Sequence, residues 1–370
     1  MEMLIHSQKL KGKLHTVQLS EPIIFADNEK NGRSGHLGHA MTEFAPGKIM
    51  AFSANTSAIR SCGHSAFGWM DYSISEDYGQ TWSVPVKFPY SWEALLDGVN
   101  TISVEKVITC DNGDIVAFCL RNCQRSELSC EPWWYPRVVI SKDQGKTWGA
   151  PVDFSEYKGR IYDALYYKGV AYVLQHCNDA AINFCSNKPE HVHRLFKSVD
   201  NCQTFEEVCV VPFDEKEGLG YGNLIITPEE KMIAYAYNVN DEQNMSYAIS
   251  EDFGKTWIDT GKSFVKNRIR NPQVGLLDGQ FILHGRAGRT EAMKGSFVIY
   301  TSKDGVEWDD GLVLAKDERP SCFYSENLTV VMPNGKQKMF VKYSETYHRN
   351  PTPEQRGQVN SMMMTIETVE

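Results

Sequence analysis

One short phrase, Ser-x-Asp-x-Gly-x-Thr-Trp, returns along this chain, and its return restricts the fold more than any other feature. Intact copies run from Ser75 to Trp82, Ser141 to Trp148 and Ser250 to Trp257. Two copies are worn: Ser198-x-Asp200-x-Cys202-x-Thr204-Phe205 carries Cys in place of Gly, and Ser302-x-Asp304-Gly305-x-Glu307-Trp308 is one residue short. Their first residues lie 66, 57, 52 and 52 positions apart. Asp followed two residues later by Gly suits a tight turn, in which the carboxylate caps backbone amides and Gly takes a positive φ. Each copy follows an alternating strand such as Val138-Val139-Ile140 or Tyr247-Ala248-Ile249. The turn therefore joins the last two strands of a small antiparallel sheet, with its Trp plugged against the sheet beside it.

A second repeat is offset from the first. A turn, usually with Gly, precedes an apolar strand at Gly47, Gly113, Gly169, Glu230, Gly279 and Gly335. Six hairpins and five turns predict an all-β, six-bladed β-propeller of four-stranded antiparallel blades. The blade without its own turn is completed by the chain ends, where strand-like Val17–Phe25 and Ser361–Thr368 pair to close the ring. Residues 1–370 read as one domain, because no linker-like stretch interrupts the repeats.

The formal net charge of −9 argues against non-specific binding to nucleic acid or to an anionic membrane surface. No apolar run approaches membrane-spanning length. The first residues lack the regions of a secretory signal, so a cytoplasmic location is expected unless a signal has been removed. Cysteines within strands, such as Cys110, Cys119 and Cys209, read as small buried hydrophobes. Cys177, Cys185, His191 and His193 form the best metal candidate, but their spacing matches no usual zinc site, and no metal is expected. No Gly-rich phosphate cradle implies a nucleotide, and no cofactor is expected.

The repeated turns resemble the Asp-boxes of the sialidase (neuraminidase) superfamily, and the six-bladed setting resembles its catalytic propeller. The resemblance spans nearly the whole chain. It implies a central pocket where a Tyr opening the last blade is the nucleophile; here that segment is Phe323-Tyr324-Ser325-Glu326-Asn327-Leu328. Strand alternation puts Tyr324 and Glu326 on one face, so that Glu326 can polarise the phenol. The family grips a substrate carboxylate with arginines, and His284-Gly285-Arg286-Ala287-Gly288-Arg289 offers Arg286 and Arg289 at the matching place. Elsewhere the chain departs from the family. Gly35-His36-Leu37-Gly38-His39 stands where the first arginine is expected, His64 stands nearer than Asp71 to the place of the general-acid Asp, and Tyr221 and Asn223 stand where the catalytic Glu and second arginine belong. His64 or His39 is then the candidate proton donor, with His36 beside the pocket. Arg121, Trp133, Tyr162 and Asp163 are further candidates to contact a sugar. The expected partner is a glycan ending in an acidic sugar, with sialic acid favoured and hydrolysis the expected reaction. A glycosidase or lyase acting on uronic acids, and a glycan-binding lectin without catalysis, stay open as alternatives.

Overall fold

The computed structural model describes residues 2–3, 8–57, 67–123, 133–178, 189–288, 295–317, 323–345 and 357–369. The strands form six separate sheets, one for each expected blade. The inner strands are Met41–Ala45, Asn100–Thr109, Gly159–Tyr167, Leu219–Ile226, Arg270–Leu277 and Ser325–Val331, for blades one to six. Each pairs antiparallel with a second strand across one of the six predicted hairpins.

Strands inside a ring of blades must be apolar on both faces, because a neighbour covers each side. Blade two's second strand, Ile115–Cys123, shows this directly. Ile115, Ala117 and Cys119 pack with Phe52 and Tyr72 of blade one. Val116 and Phe118 point the other way, to Val173 and Phe196 of blade three. The same period of two is used at each seam, so the core is a set of wedges between blades.

The repeated turns fasten these wedges. In the first, Thr81 N and Oγ1 donate to Asp77 at 2.8 and 2.6 Å, and Gly79 N donates to Ser75 Oγ at 2.8 Å. The Thr81 hydroxyl and amide hold the Asp77 carboxyl down at about 2. The aromatic residue that follows reaches back to the preceding blade. Trp148 lies 5.0 Å from Phe88 and 5.9 Å from Tyr72 of blade one. Phe205 lies 6.0 Å from Phe118 of blade two, and the Trp257 indole donates to Cys209 Sγ of blade three. Trp82 meets Phe25 at 4.9 Å across the closing seam.

Cys202 keeps the positive φ (64°) that its Gly counterparts adopt. A Cβ on Gly145 would come within 2.3 Å of Met50, whereas Cys202 faces the small Cys110, with the two sulfurs 3.9 Å apart. The worn copy thus fits because its neighbour is small.

The chain ends close the ring as expected, with one refinement. Ser361–Val369 pairs with both Thr16–Leu19 and Ile23–Ala26. The single predicted strand over Val17–Phe25 is split around Ser20-Glu21-Pro22, where Pro22 has no N–H to give the ladder. Glu2–Met3 adds a fifth strand to blade five, and Lys9–Lys11 extends blade six.

Register fixes which end of the ring is which. Ser141, at the start of a repeated turn, aligns with Ile115, and Ile115 aligns with Thr109 at the C-terminal end of its inner strand. The turns therefore occupy one end of the ring, and the N-terminal ends of the inner strands converge at the other. Trp148→Ala should lower stability by about 2–3 kcal/mol, because it empties the wedge between blades one and two. Urea denaturation checks this, and a loss below about 0.5 kcal/mol would contradict the fastening role.

Candidate active site

Four inner strands break register near their N-terminal ends. The shifts fall between Val104 and Lys106, Ile161 and Asp163, Leu219 and Gly222, and Arg270 and Gln273. A bulge leaves its extra residue out of the ladder and re-aims its side chain. The residues so released are Glu105, Tyr162, Tyr221 and Asn271, the last with a φ of 51° that Asn tolerates. Glu105 and Tyr162 line a small cavity at this end of the ring, with His39, Arg160, Tyr324 and Glu326.

A cation holds the centre. Lys106 Nζ donates to Asp163 Oδ1 and to Glu326 Oε1, both at 2.7 Å, so it ties blade two to blades three and six. Burial alone would push this ammonium's pKa down, but the two carboxylates together raise it above its usual value. Asp163 is committed further, since its Oδ2 accepts from Asn223 Nδ2 at 2.5 Å and from Leu224 N at 2.6 Å. Asn223 Oδ1 then accepts from Val274 N of blade five at 2.9 Å. Glu326 is 4% exposed. Burial, opposed by Lys106 and reinforced by Asp163, brings its carboxyl up to about 7.

Two arginines flank this centre. Arg160 donates from Nε to Glu105 Oε2 at 2.5 Å, and its guanidinium lies 4.3 Å over Tyr221 and 4.9 Å over Tyr162. Arg286 donates from Nε to Asn271 Oδ1 at 2.7 Å, and its guanidinium lies 4.4 Å over the Tyr324 ring. Beneath Glu326, the Asn327 amide donates to His284 Nε2 at 3.0 Å, leaving Nδ1 to donate to Ser325 Oγ at 2.9 Å. Burial and then Lys106 push the His284 imidazole down to about 3.

Of the residues singled out from sequence, Tyr324, Glu326, Tyr162 and His39 line this cavity. Arg286 lies over the Tyr324 ring, and Asp163, Asn223 and Tyr221 pack behind the lining residues. His64 and Arg289 lie outside the described residues. His39 is buried, and burial followed by Lys342 pushes its imidazole well below the usual range. His36 is fully buried, with Nδ1 3.3 Å from Thr56 Oγ1. Trp133 is 1% exposed and tilted against Tyr221 at 5.8 Å, so it supports the pocket from below and presents no open face to a sugar. Arg121 donates to Asn100 Oδ1 at 3.2 Å, beside the strand start and away from the cavity lining.

Asp71 belongs to a different cavity, between blades six and one. Of the metal candidate, Cys185 lies outside the described residues. His193 is committed at both nitrogens, to Glu215 Oε1 at 2.8 Å and Gly220 O at 2.7 Å. Among the described residues, no three His, Cys, Asp or Glu side chains gather as a metal group.

Sequence reasoning missed Lys106, Glu105, Asn271 and Gln273. A signal existed for the first two. Glu105-Lys106 sets adjacent charges inside the apolar run Ile102–Ile108, which regular alternation would send to opposite faces of a buried strand.

No protein-family model matches the sequence. A sialidase of Paraclostridium sordellii is 24% identical over 331 residues, covering 83% of this chain and 72% of the relative. The fold is similar to that of a Dyadobacter fermentans protein of unknown function, with a TM-score of 0.69 at 17% identity over 95% of this chain and 99% of the other. It is also similar to a Hadza microbial sialidase, with a TM-score of 0.63 at 13% identity, covering 94% and 68% of the two chains. A Trypanosoma rangeli sialidase in complex with 2,3-difluoro-KDN gives 0.62 at 13% identity, over 93% of this chain and 58% of the trypanosomal one. The chain thus has the sialidase-type six-bladed propeller.

The raised Glu326 carboxyl sets a pH dependence of stability. Its usual value is 4.5 and its folded value about 7. Below about 4.5 it is protonated in both states and costs nothing. Between about 4.5 and about 7 the unfolded chain releases the proton while the folded chain keeps it, so stability falls as pH rises. Glu326→Gln should flatten that fall. Urea midpoints from pH 4 to 8 check it, and an unchanged slope would contradict the assignment.

Proposed function

We propose that this protein is an exo-acting glycoside hydrolase that removes a terminal acidic sugar, sialic acid foremost, with Tyr324 as its nucleophile. The sialidase relative and the sialidase-type propeller support a sialidase-like glycosidase in general terms. The observation that carries the finer reading is the stacking of Arg286 over Tyr324, which lines a cavity together with Glu326. A guanidinium there is placed to hold a carboxylate beside the attacking oxygen.

A neutral phenol can approach an anomeric carbon that carries a carboxylate with less repulsion than Asp or Glu would meet. In the first step the Tyr324 Oη–carbon bond forms while the glycosidic carbon–oxygen bond breaks. The phenolic proton passes to Glu326, whose carboxyl, at about 7, can both accept and return it near neutrality. Lys106 keeps that carboxyl in place and limits its basicity. The aglycone oxygen leaves with a proton supplied by a second acid, for which His64 is the proposal. Water, giving a proton to His64, then displaces Tyr324, whose oxygen takes its proton back from Glu326, so both groups are restored and the anomeric configuration is retained. His39, kept neutral by burial, is assigned to hydrogen bonding at the pocket wall.

Mass-spectrometric analysis of products from a panel of sialosides, uronic-acid oligosaccharides and neutral glycans tests the reaction class. Free sialic acid is expected; an unsaturated uronic acid, or no product from any glycan, contradicts the reading. On the substrate so identified, Tyr324→Phe should lower kcat roughly 10²–10⁴-fold with the fold intact. Arg286→Ala should weaken binding by about 2 kcal/mol or more, roughly thirty-fold. Steady-state kinetics checks both, and near-normal values would remove the two residues from these roles.

A further inference from the structure

The two faces of blade one's second strand, Lys48–Ser57, differ in a way the fold alone does not require. Met50, Phe52 and Ala54 face blade two and are apolar throughout. The opposite face begins apolar, with Ile49 and Ala51 packed on Phe340 and Met363 of blade six, and then turns polar at Ser53 and Asn55. The next strand follows suit, with Ser73 opposite Ala51 and Asp71 opposite Ser53. Beside these polar residues the seam opens into a cavity of about 200 Å³. Packed interiors leave few voids larger than a water molecule, so a space of this size lined by polar groups can hold water or a polar ligand.

Its lining has the composition of a binding site. Ser53 is 5% exposed, and its hydroxyl is buried without a protein partner. Asp71 is fixed from two sides, its Oδ2 accepting from Asn55 Nδ2 at 2.5 Å and its Oδ1 from the Trp69 indole at 2.9 Å. Burial raises the carboxyl above its usual value, with Lys87 on the adjoining strand opposing that shift. Asn28 and Asp27 face it from the N-terminal segment, and Phe25 and Pro85 supply an apolar wall.

We propose that this seam cavity binds a single neutral sugar ring, whose hydroxyls donate to Asp71 and pair with Ser53 and whose C–H face rests on Phe25 and Pro85. Two carboxylates, Asp27 and Asp71, disfavour an acidic sugar here, the reverse of the preference proposed for the central pocket. The site shares no lining residue with that pocket and does not depend on its chemistry.

Saturation-transfer NMR followed by calorimetry tests this, with methyl β-galactoside, methyl β-glucoside and methyl N-acetyl-β-glucosaminide as probes. At least one should bind with a dissociation constant of about millimolar. Ser73→Leu, which fills the cavity, should abolish binding. Asp71→Asn, nearly isosteric and so the safer variant for folding, should weaken it about ten-fold, the effect of losing one charge-assisted hydrogen bond. Arg286→Ala should leave it unchanged. Absence of binding by all three probes, binding that survives both seam variants, or binding lost in Arg286→Ala would each overturn the proposal.

Discussion

The ammonium of Lys106, shared between Asp163 and Glu326 at 2.7 Å each, is the interaction on which the candidate site depends. Two ionised carboxylates from different blades are costly to hold together in a buried centre without a cation between them, because they repel and each loses its hydration. With Lys106 in place, Asp163 can continue the network through Asn223 to the backbone of blade five. Glu326 can stand two residues from Tyr324. The positive charge also explains why the centre is built from three blades at once: each supplies one charged group, and none could be buried alone.

Work is divided between the two ends of the ring. At one end the repeated turns and their aromatic residues clamp each blade to the one before, with the same Thr-to-Asp hydrogen bonds in four copies and backbone amides of Val306 and Glu307 taking their place at Asp304. At the other end regularity is broken on purpose. Bulges in four consecutive inner strands turn Glu105, Tyr162, Tyr221 and Asn271 out of the ladder. A strand locked by full pairing on both sides could not present these side chains toward the axis. The rigidity of the clamped end is what allows irregular backbone at the other.

Much of the fold was legible in sequence because its determinants are local. A turn of Ser, Asp, Gly and Trp carries its own hydrogen bonds, so a period of turns reads directly as a period of blades. The closing strands were legible too, apart from the interruption at Pro22. The site was less so. Tyr324 could be placed by resemblance to the sialidase superfamily and Glu326 by strand alternation, while Arg289 and its rival Arg286 stayed open; the structure brings Arg286 to the Tyr324 ring, and Arg289 lies outside the described residues. Lys106 could not be placed that way, since its meaning depends on two carboxylates 57 and 220 positions further along the chain. Trp133 was a candidate to contact a sugar, yet it is buried against Tyr221. A sequence shows that an aromatic is present but not on which side of a blade it lies.

The central claim is covalent participation of Tyr324. Incubating the protein with a 2,3-difluorinated sialic acid, in which fluorine slows release of the glycosyl group, and mapping the modified peptide by mass spectrometry tests that claim most directly. One added sugar residue is expected, carried by Tyr324 and absent from Tyr324→Phe. An adduct on any other residue, or turnover of a sialoside with no adduct formed, would contradict it.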